Sequence, residues 1–64
     1  MFDELDTVRL LVDMPTLGLR RGAVGAILMI HTSPSLAYEV EFEGTEETVA
    51  LGPDRLERVL TTGS

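Results

Sequence analysis

Polar and apolar positions alternate most cleanly over residues 37–42, where Tyr38, Val40 and Phe42 interleave with Glu39 and Glu41. A period of two sends successive side chains to opposite faces, so this run predicts a strand with one face in a core and one in water. Residues 7–12 repeat the pattern, with Val8, Leu10 and Val12 set against Thr7, Arg9 and Leu11. Residues 23–30 are apolar almost throughout, and Gly25 would weaken a helix there by about 1 kcal/mol. A strand bent or bulged at Gly25 is the expectation. Residues 48–51 predict a short fourth strand, forming a hairpin with residues 37–42. Pro53 and Asp54 predict one 3₁₀ or helical turn before a last strand over residues 57–60, with Leu56 and Val59 facing inward. Residues 13–22 hold Pro15, Gly18 and Gly22 without any period. They predict a long loop whose Met14, Leu17 and Leu19 partly cover the core.

Five short strands with little helix cannot bury both faces of an open sheet, so the expected fold is all-β, a small and partly open barrel. One domain over residues 1–60 is expected, with 61–64 as a frayed tail. The expected core is Val8, Leu10, Val12, Val24, Ile27, Ile30, Tyr38, Val40, Phe42, Val49, Leu51, Leu56 and Val59.

Composition narrows the function classes. The 64 residues carry eleven acids against five arginines, and lysine, asparagine, glutamine, cysteine and tryptophan are absent. A net charge of −6 repels phosphate backbones, which argues against a nucleic-acid binder. Without cysteine there is no disulfide and no thiolate metal site. The acidic N-terminal stretch lacks the basic region of a secretory leader, and no apolar run approaches the ~20 residues of a membrane span. A cytoplasmic address is the expectation.

Candidate chemistry is sparse. Five of the eleven acids, Glu39, Glu41, Glu43, Glu46 and Glu47, fall on the third strand and the turn after it. They could dock a basic partner protein, or serve only as a solvated face with edge protection. Alternate carboxylates on a strand share a face, yet no second cluster converges on them, so no metal is expected. Arg20 and Arg21 on the long loop could meet a carboxylate or another anion, or simply flank a turn. His31 is the only histidine and has no evident acid-base partner in sequence, so no catalytic centre and no cofactor are expected. Tyr38 and Phe42 belong in the core rather than on an aromatic platform, because the chain has only three aromatic residues. Met14, Leu17, Leu19 and Met29 exceed what so small a core needs, and some are expected on a surface open to oligomer or partner contacts.

Two resemblances bear on these expectations. Asp6-Thr7-Val8-Arg9-Leu10 followed by Gly22-Ala23-Val24-Gly25-Ala26-Ile27 resembles the opening of KOW-type and photosystem-accessory SH3-like barrels. Over nearly the whole chain, from Phe2 to about Val59, the sequence is similar to a family of short bacterial proteins, common in cyanobacteria and described as a domain of unknown function. The shared positions are Asp6, Val8 and Leu10, then Asp13 and Pro15, then Gly18 and Leu19. They continue through Gly22, Val24, Gly25, Ile27 and Ile30 to Ala37-Tyr38-Glu39-Val40-Glu41-Phe42, and end on Thr48, Ala50, Leu51 and Leu56. Val49, between Thr48 and Ala50, departs from the pattern. The resemblance implies an SH3-like barrel. Family members beside genes for toxin-like proteins imply an antitoxin-like or immunity-like partner. A KOW-like ribonucleoprotein accessory and a subunit stabilising a larger assembly stay open beside it.

Overall fold

The computed structural model describes residues 2–60. Its elements run in the order β1 (Thr7–Leu10), a 3₁₀ turn η1 (Pro15–Leu17), β2 (Val24–His31), β3 (Ala37–Phe42), β4 (Thr48–Leu51), a second 3₁₀ turn η2 (Pro53–Arg55) and β5 (Leu56–Arg58). The expected tail at 61–64 lies outside the described residues. All five strands join one antiparallel sheet in the order β4-β3-β2-β1-β5.

Chain length forces that sheet to curl. Lying flat, it would hold β4 and β5 about 19 Å apart, at roughly 4.8 Å per strand spacing. The link from Leu51 to Leu56 could reach at most about 17 Å if fully extended. It is shorter still, because η2 rises only about 2 Å per residue. The outer strands therefore swing toward each other, and Leu51 and Leu56 meet in one core with Val8, Leu10, Leu19, Ile27, Tyr38, Val40 and Phe42. The result is the all-β, partly open arrangement that the strand pattern predicts. The Phe2 ring closes one end of the core, edge-on to Tyr38 with centroids 5.2 Å apart.

Several local expectations need correction. The long loop contains η1, a 3₁₀ turn not expected from the sequence, with Pro15 at its start and Gly18 in the left-handed region at φ 70° behind it. Proline fixes the entry φ, as Pro53 does for η2, and glycine accepts the left-handed exit of η1, whereas η2 leaves through Leu56 in an extended conformation. Leu19 is a full core residue at 6% exposure. A reciprocal bridge between the Met14 and Leu19 backbones holds it there, at 2.9 and 3.1 Å.

The bulge in β2 lies between Ile27 and Met29, not at Gly25. Gly25 faces inward, pairing with Val8 and Phe42, and its bare Cα lets the neighbouring strand approach closely. Val24 pairs with Arg9 on the outer face, so it is not the core residue its character suggests. Leu28 is the extra residue of the bulge. Ile27 points inward before it and Ile30 inward after it, the latter opposite buried Tyr38. Were Leu28 to take an ordinary place in the ladder, strict alternation would turn Ile30 out and His31 in. Val12, Ile30 and Val49 are half-buried and pack against the core, and Val59 is half-buried.

Candidate functional site

The outer face of β3 presents Glu39 and Glu41, as alternation requires once Tyr38, Val40 and Phe42 point inward. The two carboxylates differ in circumstance. His31 Nε2 donates to Glu39 Oε1 at 2.8 Å, and Thr48 Oγ1 donates to Glu39 Oε2 at 3.1 Å. An ionised carboxylate only accepts, so Nε2 carries the ring proton in this contact. The His31 hydrogen bond, then that of Thr48, holds the Glu39 carboxyl below the ordinary glutamate range. Glu39 thus ties β2, β3 and β4 together across the outer face. The Leu28 bulge makes this possible by turning His31 to the Glu39 side of the sheet.

Glu41 stands between Ala26 and Thr48, and neither neighbour is charged. Beyond it the chain enters the β3–β4 turn, where Glu43 N donates to Val24 O at 2.9 Å and Gly44 takes φ 89°. Thr45 Oγ1 lies 3.1 Å from Phe42 O and 3.2 Å from Glu47 O, which braces the turn internally. Glu43, Glu46 and Glu47 are exposed on it. A shallow depression of about 360 Å³ runs between this turn and β2, lined by Thr7, Val24, Ala26, Glu41 and Glu43 among others.

The structure sorts the charges into two sets. Arg9 Nε meets Glu57 Oε2 at 2.6 Å, Arg58 Nη2 meets Asp6 Oδ2 at 3.1 Å, and His31 meets Glu39. Among the described residues no cation lies against Glu41, Glu43, Glu46 or Glu47. The five expected acids therefore do not form one uniform patch. Glu39 is used within the sheet, and the other four form the unneutralised group.

Arg20 and Arg21 border a separate groove of about 660 Å³, lined also by Asp13, Pro15, Gly18 and Leu19. The Asp13 carboxylate accepts the Arg21 backbone N–H at 2.8 Å and so shapes the loop without pairing a guanidinium. Strand directions put this loop at the same end of the sheet as the β3–β4 turn. His31 is engaged with Glu39, the partner that its sequence neighbours did not reveal. That pairing was beyond sequence reasoning because it depends on the bulge. Among the described residues no three acidic or histidine side chains converge as metal ligands, and no helix is long and apolar enough to cross a membrane.

Residues 4–60 match the family described as "Domain of unknown function (DUF4926)", and the chain belongs to that family. No curated protein and no solved structure matches the chain.

Proposed function

We propose that this chain is a non-catalytic protein-interaction module whose carboxylates Glu41, Glu43, Glu46 and Glu47 receive a basic partner protein. The observation that carries this reading is the absence of any cation against these four groups among the described residues, while Arg9, Arg58 and His31 each meet an acid. The Arg20–Arg21 loop shares the end of the sheet that carries the β3–β4 turn but forms no ion pair with the four carboxylates, whose charge stays available to steer a basic surface into contact and fix its register. Within this reading the domain is an SH3-like barrel, supported by the 4-3-2-1-5 strand order and by η2 leading into β5. An antitoxin-like role is its most specific form: the carboxylates would occupy a toxin surface that otherwise takes phosphates. Service as an accessory subunit of a larger assembly is the more general form.

A KOW-like nucleic-acid role is less well supported. The Gly22 to Ile27 step that motivates it is accounted for by backbone needs. Gly22 takes φ 96°, and Gly25 lies where a Cβ would meet the neighbouring strand.

The experiment is affinity capture of the native chain with mass spectrometry, beside a Glu41→Gln, Glu43→Gln, Glu46→Gln, Glu47→Gln variant. A specific basic protein should be retained at low salt, released as salt rises, and lost by the variant. Equal capture by both chains with the same salt dependence refutes the reading.

A further inference from the structure

We propose that the free edge of β2 over residues 28–31 receives an extended segment of a partner protein, added as a strand, with alternating apolar and basic side chains. The inference goes beyond the acidic turn, which lies at the opposite end of the sheet. The β1–β2 ladder stops at Thr7 opposite Ala26, and its last hydrogen bonds are Ile27 N to Asp6 O at 3.0 Å and Leu5 N to Ile27 O at 2.7 Å. β2 then continues to His31, paired on one side with β3. Among the described residues no backbone group hydrogen-bonds to residues 28–31 on the other side. An open strand edge of this kind is a template for strand addition.

The side chains around this edge are those of a contact surface. Leu28 and Met29 are 42% and 50% exposed, and Leu5, brought beside the bulge by its bond to Ile27, is 77% exposed. Leu5 also holds φ 70°, a left-handed conformation disfavoured for any residue with a Cβ. A bulky apolar residue kept outward in a disfavoured conformation gains nothing from the domain's own core. Covering it with a partner would take that apolar surface out of water, and disfavoured backbone of this kind clusters at ligand clamps.

Charge selects the occupant. Asp3 and Glu4 immediately precede Leu5, are exposed, and have no cation against them among the described residues. A second copy would bring another chain of charge −6 against these acids. A basic and apolar segment would satisfy the edge, the leucines and the carboxylates together.

The test titrates the ¹⁵N-labelled full chain with a short synthetic peptide of alternating valine and lysine, beside a valine–glutamate control. The expected result is amide shifts and slowed hydrogen exchange centred on residues 28–31 with the lysine peptide alone. Met29→Ser, which removes the apolar contact without adding charge, should weaken binding at least about tenfold. Shifts confined to the outer edges of β4 or β5, or equal binding of the glutamate peptide, overturn the proposal. So does concentration-dependent dimerisation through residues 28–31 without peptide. Shifts only at residues 41–47 overturn strand addition while leaving the acidic-turn reading intact.

Discussion

Replacing Gly25 with alanine adds one methyl group at a place where β2 and β3 leave no room for it. An ideal Cβ there would stand 2.6 Å from the Glu41 carbonyl oxygen and 2.9 Å from Val40 Cγ1. The first contact is with backbone inside a paired ladder, so it can be relieved only by moving a strand. Overpacking of this kind costs about 1–3 kcal/mol. A 64-residue chain at about 0.05–0.15 kcal/mol per residue has roughly 3–10 kcal/mol in total, so the loss is a large fraction. The midpoint of thermal unfolding should fall by about 5–20 °C, at roughly 4–8 °C per kcal/mol for a domain of this size. Urea titration followed by circular dichroism measures the same loss, with an unchanged slope showing that compactness is preserved. A double-mutant cycle with Val40→Ala separates the two contacts. Stability within about 0.5 kcal/mol of the parent chain would refute the close approach, since substitutions within that range are typical of unconstrained surface positions. Recovery of most of the loss by Val40→Ala would place the strain on a side chain rather than on the ladder.

Other consequences can be measured on the same material. Leu19→Ala should cost about 2–5 kcal/mol, as for a buried leucine in any core, although Leu19 lies in a loop. Deleting Leu28 removes only the extra residue of the bulge and leaves Ile27, Met29 and Ile30 in strict alternation, so the chain should stay folded with Ile30 inward, and Leu28→Ala, at an exposed position, should stay within about 1 kcal/mol of the parent; both are read by urea midpoints. Because the folded-state pKa of Glu39 is depressed, its contacts contribute full stability above the unfolded-state pKa. That contribution fades as pH falls through the lower folded value. Glu39→Gln should flatten this acid limb of the stability profile, and a carboxyl NMR titration at or above the ordinary glutamate value would refute it. Tyr38→Phe should cost about 0.5–1.5 kcal/mol, because the Phe2 N–H loses its acceptor, the Tyr38 hydroxyl 3.3 Å away.

The parts of the fold legible in the sequence are those where a local rule and the tertiary outcome agree. β3 and β4 occupy the residues their pattern indicates, because each strand has one wet face and one dry face. η2 follows from Pro53 in the same way. β2 is harder, because a nearly continuous apolar run carries no phase, and neither the inward side of Gly25 nor the bulge at Leu28 can be read from it. Leu19 escapes periodicity altogether, since a loop residue becomes core only when its backbone is fastened elsewhere, here by Met14. The acidic group was legible as composition. Its division into an engaged Glu39 and four unneutralised partners was not, because that depends on which side of the sheet His31 faces.

The placement of β1 between β2 and β5 has a consequence for how the chain is made. Within this domain synthesis delivers β1 well before its second neighbour, so Val8 pairs with Arg58 only once β5 has been made. Until then one edge of β1 is bare and Leu56 cannot complete the core. Val8 and Arg58 lie far apart in sequence, and contacts of such long separation slow closure. The curled sheet of this domain is therefore complete only with β5, and until then the bare edge of β1 is open to chaperones and proteases.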